Sequence, residues 1–291
     1  MAPGDPRVEH VTDTALLVAA VRAMETSRPD GLVRDPLAAR LAGERGMAFA
    51  RKMPGMEWMC IGLGLRYRFM DGLLTDALAA HEIATALLLG AGLDTRPWRL
   101  PLPPQFRWIE VDFQAILDFK AAALASEKPS CRVERVVADL NDAAQRQAVW
   151  SAAAGAPALM ITEGLLMYLP PETVGALAAE AAAAGVRYWL LDVSSRQLMS
   201  QARGDCQDVE SLRPKDHLKG AEILELAKQH GWEKLAQHTY TRDGWNTATE
   251  RIRSLPRGEA WKDERGTAAG DPSGVYLFGR SDKPGGVSYF K

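Results

Sequence analysis

From Thr85 onward, apolar runs alternate with helix-forming segments through five successive β-α units. The runs are Thr85–Leu89, Arg107–Val111, Val133–Ala138, Ala158–Thr162 and Tyr188–Leu191. Helical patterns follow at Gln114–Ser126, Ala143–Ala154, Pro171–Ala184 and Ala221–His230, the last stopped by Gly231. Only the first unit is cramped, because Pro97 and Pro101 leave room for barely one helical turn. Two further runs, Trp232–Thr239 and Gly274–Gly279, follow with no helix-sized pattern between them. Such alternation predicts an α/β fold: a mostly parallel sheet with helices on both faces. Ligands of these sheets bind outside the carboxyl ends of the strands, at the switch point. Four of the runs end there in an acid: Asp112, Asp139, Glu163 and Asp192.

Upstream, Thr12 or Asp13 can cap a helix to about Ser27, stopped by Pro29. Leu17, Val18, Val21 and Met24 form its apolar stripe, with Arg22 beside them. Asp35-Pro36 reads as a second helix start. Met47 to Met70 is poorly periodic and holds Arg66 and Arg68; Asp71 to His81 reads as a helix leading into the first strand. The chain therefore divides into a helical part, 1–80, and a core, 81–291. Polar segments at about 194–220 and 241–273 interrupt the core and emerge at the edge where the acids lie. Insertions of that length are usually functional covers. Trp245 and Trp261 in the second are candidates for core packing or for an aromatic pocket wall.

Composition excludes several classes. With 35 Lys and Arg against 37 Asp and Glu, the charge is −2, and the arginines are dispersed among acids. A nucleic-acid partner wants clustered cations, so none is expected. The three cysteines, Cys60, Cys131 and Cys206, are far apart and form no C-x-x-C pair, which fits a reducing compartment. Met1 to His10 lacks the apolar region of a secretory signal, and no uncharged run is long enough for a bilayer. The expectation is a cytoplasmic protein without a membrane partner. The five histidines show no metal-ligand spacing, so no metal site is expected.

Leu88-Leu89-Gly90-Ala91-Gly92-Leu93-Asp94-Thr95-Arg96-Pro97 leaves the first strand under the ligand edge. A dinucleotide fingerprint needs a third glycine and a helix N-terminus facing a pyrophosphate. Here Thr95 stands at the third position and the helix is too short, which disfavours nicotinamide cofactors. The loop still lets backbone approach a ligand, and its carbonyls can accept from an ammonium. Asp112, 20 residues after Gly92, lies where a carboxylate accepts both ribose hydroxyls. Asp139 can accept from an adenine amine while the Leu140 N–H donates to a ring nitrogen. Together these describe an adenosine site without phosphates, and S-adenosylmethionine is the common ligand of that description.

The strings Arg66-Tyr67-Arg68, Gly90-Ala91-Gly92-Leu93-Asp94-Thr95-Arg96, Glu110-Val111-Asp112-Phe113, Asp139-Leu140 and Thr162-Glu163-Gly164-Leu165-Leu166-Met167-Tyr168-Leu169 resemble the leucine carboxyl methyltransferase family. With Thr14-Ala15, Arg22-Ala23 and Asp35-Pro36, the resemblance covers about residues 8 to 195. The family includes bacterial S-adenosylmethionine-dependent O-methyltransferases and polyketide carboxyl methyltransferases. The resemblance implies a class I methyltransferase-like, Rossmann-like core with a seven-stranded sheet and a helical lid from 1–80 over the cofactor. It implies that Arg22 and Arg66 hold the methionine carboxylate. Gly90, with Gly92 and Asp94 in the same loop, would approach the ammonium. Asp112 would take the ribose, Asp139 and Leu140 the adenine, and Glu163 would face the methionine end. It also implies a small-molecule acceptor.

Methyl transfer from a sulfonium is an in-line displacement. A carboxylate acceptor is already ionised at neutral pH, whereas a phenol costs about 4 kcal/mol to ionise. The chain shows no His–Asp pair at a strand end, which favours a carboxylate or an acidic hydroxyl. Candidates for direct catalytic work are Tyr168, His217 and His238. The alternatives are methylation of a protein C-terminal carboxylate, or a non-catalytic S-adenosylmethionine-binding module.

Overall fold

The computed structural model describes residues 6–194, 218, 220–255 and 272–280, with side chains from Asp13 onward. The elements in chain order are α1 (Pro6–Ser27), α2 (Ala38–Lys52), α3 (Met56–Ala80), β1 (Thr85–Leu89), α4 (Arg96–Arg99), β2 (Arg107–Asp112), α5 (Gln114–Ala123) and β3 (Arg132–Val137). They continue with α6 (Ala143–Ala153), β4 (Ala158–Thr162), α7 (Pro171–Ala183), β5 (Tyr188–Val193), α8 (Gly220–Gln229), β6 (Glu233–Thr239), α9 (Arg242–Ser254) and β7 (Gly274–Gly279).

The seven strands form one sheet in the order β3-β2-β1-β4-β5-β7-β6. The pairings are parallel except those of β7, which runs antiparallel between β5 and β6. The order turns back between β1 and β4, so the switch point lies there. Register then assembles the site. Leu89 pairs with Val111 on one side and Thr162 on the other, so Gly90, Asp112 and Glu163 leave the sheet abreast. Thr162 pairs with Leu191, which brings Asp192 beside Glu163.

The central strands β1 and β4 are buried throughout, because helices cover both faces. Strand alternation sends Leu87, Leu89, Ile109, Val111 and Met160 to one side, against Val149, Trp150, Val174, Leu177 and Trp232. It sends Ala86, Leu88, Trp108, Leu159 and Ile161 to the other, against Leu65, Phe69, Leu73, Trp245 and Ile252. A third cluster joins Leu16, Leu17, Ala20 and Leu41 to Leu93 and Leu124, fastening α1 and α2 over the loop after β1. Among the described residues no helix is long and apolar enough to cross a membrane.

Several expectations need correction. The first helix starts at Pro6, passing through Thr12 and Asp13 without a cap there. Pro is tolerated in a first turn, and Asp13 pairs with Arg45 at 2.6 Å. The Asp35-Pro36 start stands, with regular α2 beginning at Ala38: Asp35 Oδ1 accepts Leu37 N–H at 3.1 Å and the Asp35 carbonyl accepts Ala38 N–H at 3.2 Å. The poorly periodic region ends in one 25-residue helix, α3, whose buried positions include Cys60, Ile61, Gly64, Leu65, Tyr67, Phe69 and Met70. Burial on several faces erases the amphipathic stripe by which a helix is recognised. A further helix, α9, stands between β6 and β7, where the sequence predicts none. Its Gly244, Thr247 and Thr249 are weak helix formers; burial of Trp245 and Ile252 against α3 supports it instead. Trp245 is thus core, and Trp261 lies outside the described residues.

Candidate active site

A cavity of about 530 Å³ opens over the carboxyl ends of β1, β2 and β4, within the range of small-molecule sites. Thr14, Ala15, Val18 and Arg22 of α1 line it from above. Its floor is the loop Gly90–Asp94, and its ends are formed by Ala138–Asn141 and by Glu163–Leu165 with Met167–Leu169. All nine residues expected from the sequence to hold the cofactor line this one cavity: Arg22, Arg66, Gly90, Gly92, Asp94, Asp112, Asp139, Leu140 and Glu163.

The loop is shaped by backbone that only glycine adopts readily. Gly90 has φ +65°, and a Cβ there would stand 2.9 Å from Leu165 Cδ1. The Asp112 carboxylate braces the turn, its Oδ2 accepting Gly92 N–H and its Oδ1 accepting Phe113 N–H, each at 2.7 Å. Burial pushes the Asp112 carboxyl above its ordinary range, against the pull of those two amides. Each carboxylate oxygen carries two lone pairs, so acceptor capacity remains for ligand hydroxyls. Asp139 sits in a tight turn, its Oδ1 accepting Asn141 N–H at 3.0 Å, and Arg146 Nη1 holds the Leu140 carbonyl at 2.9 Å.

At the other end lies a chain of buried ion pairs. Glu163 Oε1 accepts from Arg66 Nε at 3.0 Å and Oε2 from Arg96 Nη2 at 2.6 Å. Arg96 also donates to Asp94 and Asp71, and is fully buried. Burial pushes the Asp94 carboxyl up, but the Arg96 guanidinium overcomes it and holds Asp94 below the ordinary range. Asp94 is therefore a brace for Arg96, with both oxygens engaged by that residue's backbone and side chain. Asp192 Oδ1 accepts Gly164 N–H at 2.6 Å, and its other oxygen lies 3.6 Å from Arg66 Nη1. Gly164 has φ +61°, and its missing side chain leaves room for the Arg66 guanidinium alongside.

Arg22 donates through Nε to Asp35 at 2.8 Å, through Nη1 to Tyr67 at 2.8 Å and through Nη2 to the Leu93 carbonyl at 2.5 Å. A guanidinium has five N–H groups, so two remain. Arg66 has more to spare, since only its Nε is hydrogen-bonded. The two arginines that line the cavity thus keep donors for an anion, whereas Arg96 behind them is committed to three carboxylates.

The three catalytic candidates separate. Tyr168 lines the cavity mouth and is 38% exposed. His238 does not line it; its ring stacks on Phe69 at 4.8 Å, with Nδ1 3.9 Å from Asp243 Oδ2. His217 lies outside the described residues. Sequence reasoning gave no role to Arg96, Asp71 or Tyr67. The Asp94-x-Arg96 spacing in the loop was the available signal for the first; nothing local reports the other two.

The lining holds two arginines, Arg22 and Arg66, against four carboxylates, Asp94, Asp112, Asp139 and Glu163. Asp94 and Glu163 are paired with Arg96, so the groups left for a ligand are spare N–H donors of Arg22 and Arg66 at one end and the acceptors Asp112 and Asp139 toward the other, which suits a ligand with a carboxylate at one end and hydroxyl and amine donors at the other. Sheet order, acid-ended strands and this cavity define a class I methyltransferase that uses S-adenosylmethionine. Residues 15–182 match the leucine carboxyl methyltransferase family. The chain belongs to that family. A Frankia alni protein named as an S-adenosyl-L-methionine-dependent methyltransferase is 36% identical over 223 residues, 70% of this chain and 76% of its own. One from Mycolicibacterium smegmatis, similarly named, is 34% identical over 255 residues, 81% and 82% of the two chains. A DUF574 family protein of Streptomyces avermitilis shares the fold, with TM-score 0.60, 15% identity and coverage of 90% and 97%. A Thermobifida fusca structure described as a methyltransferase has TM-score 0.51 and 17% identity, covering 97% of this chain and 100% of that one.

Proposed function

We propose that this chain transfers a methyl group to a carboxylate oxygen of a small molecule such as a polyketide-like natural product. The single observation that carries the reading is the bridging of Glu163 between Arg66 and Arg96 at the cavity end next to Tyr168. That end is rigid, charged and built from committed ion pairs. It suits orientation of an already ionised acceptor better than abstraction of a proton.

When bound, S-adenosylmethionine supplies an electrophilic methyl on a sulfonium. The residues that fit it are Asp112 for the ribose hydroxyls, Asp139 and Leu140 for the adenine, Arg22 and Arg66 for the carboxylate, and the Gly90 loop for the ammonium. Glu163 keeps negative charge near the sulfonium end and fixes Arg66. Helix α1 excludes water from above through Ala15 and Val18. Orientation is the main service of such a site, and in favourable cases it contributes about 7–11 kcal/mol.

The test is chemical. The protein is incubated with methyl-labelled S-adenosylmethionine and a panel of aromatic and aliphatic carboxylates and phenols. A methyl ester releases volatile labelled methanol on mild alkaline treatment, whereas a methyl ether does not. Base-labile label supports carboxyl transfer. Base-stable label on a phenol refutes it and points to hydroxyl chemistry.

A further inference from the structure

Tyr67 was not among the residues expected to bind anything, yet it is the hub of the arginine cluster. Its ring centroid lies 5.0 Å from the Arg22 guanidinium, 5.7 Å from Arg66, 5.4 Å from Arg96 and 5.9 Å from Arg99. Tyr67 is 4% exposed and lines the cavity together with Arg22 and Arg66. Its hydroxyl oxygen accepts Arg22 Nη1–H at 2.8 Å. A phenol can also donate one hydrogen bond. Among the described residues the Tyr67 O–H has no acceptor. A donor that is buried, polarised by a cation and left uncommitted beside a cavity is costly unless a ligand satisfies it.

Resting on the cofactor reading above, we propose that Tyr67 is a third member of the carboxylate subsite, its O–H donating directly to the methionine carboxylate between Arg22 and Arg66. The acceptor is assigned as an anion for two reasons. Arg22 withdraws electron density from the phenol oxygen and strengthens its donor. Arg22 and Arg66 both have spare N–H groups on the same cavity. Burial pushes the phenol up to about 12, so it remains a protonated donor at neutral pH. The arrangement also ties α1 to α3, because the bond from Arg22 to Tyr67 links the cover helix to the helix that carries Arg66.

The experiment is a cycle between one protein atom and one ligand group. Calorimetric affinities are measured for wild type and Tyr67→Phe, each with S-adenosylmethionine and with its decarboxylated analogue. Loss of a hydrogen bond to a charged group predicts that the variant binds S-adenosylmethionine about ten- to hundredfold more weakly. The decarboxylated analogue is expected to bind both proteins equally within about threefold. Equal weakening of both ligands, or of neither, overturns the proposal and leaves Tyr67 as a support for Arg22 alone. A wild-type structure with S-adenosylhomocysteine tests the same contact if Tyr67→Phe does not fold. Tyr67 Oη within hydrogen-bond distance of the carboxylate supports the proposal, and a contact made only by the arginines overturns it. Failure of wild type to bind either S-adenosylmethionine or S-adenosylhomocysteine would refute the cofactor reading itself, a distinct outcome.

Discussion

Replacing Asp112 with Ala separates two tasks that one carboxylate performs. In the folded chain it accepts two backbone N–H groups at 2.7 Å, and it presents the remaining lone pairs to the cavity. Deleting it leaves the amides of Gly92 and Phe113 without that partner, at a cost of about 1–3 kcal/mol each if water does not replace it. Removing a charge whose burial is unfavourable offsets part of the loss. The net loss of stability should therefore be about 1–2 kcal/mol. The ligand term is larger. Two ribose hydroxyls donating to a carboxylate are worth about 1.5–3 kcal/mol each, so S-adenosylhomocysteine should bind about 10²- to 10⁴-fold more weakly. Calorimetric titration measures the affinity, and a urea transition without ligand measures the stability. A folded variant that retains affinity within about threefold would refute the ribose assignment. A stability loss large enough to unfold the variant would refute the offset between burial and bracing.

Three further outcomes follow from the same geometry. Glu25 and Arg251 form a buried two-pronged pair at 2.7 and 2.8 Å that ties α1 to α9, so Glu25→Ala strands a buried guanidinium. Urea unfolding should show a loss of about 3 kcal/mol, near the lower end for a broken buried pair because Asp30 stands 3.7 Å away; a loss under about 1 kcal/mol would contradict this. Gly90→Ala forces a left-handed residue and a Cβ 2.9 Å from Leu165, so it should cost at least about 1–2 kcal/mol in the urea transition and weaken S-adenosylhomocysteine binding. Because burial raises the Asp112 carboxyl, it gains its proton at a higher pH than an ordinary aspartate. Protonation removes the charge and converts one acceptor to a donor, so S-adenosylhomocysteine affinity should fall as pH drops through that raised value. Titrations that stay flat from pH ~7 down to ~4 would count against it.

The strand boundaries at β1, β4 and β7 were legible from composition alone, since an apolar run bounded by Gly, Pro or an acid leaves little choice. The helices were legible where one face is dry and the other wet. They were illegible where burial is nearly all-round, as in α3, or where weak helix formers and a break at Ala248 interrupt a one-sided apolar stripe, as in α9. Asp35 was legible as a helix start, and its Oδ1 does accept Leu37 N–H at 3.1 Å; not legible was its Oδ2, which accepts from Arg22 at 2.8 Å and from Thr95 at 2.7 Å, partners 13 and 60 residues away.

By itself the chain order of residues determined that Gly90, Asp112, Asp139 and Glu163 lie at strand ends. In a parallel sheet, strand ends of one polarity share an edge, so position along the chain becomes proximity in space. Only the tertiary structure decided what these groups are paired with. Glu163 meets Arg66 and Arg96, Arg22 meets Asp35 and Tyr67, and Asp94 is held by Arg96. Such pairing depends on how α1 and α3 pack across the edge, and side-chain reach over that packing leaves no periodic trace in the sequence. The sheet register placed the cofactor groups, and the packed helices supplied Tyr67 and its surrounding arginines.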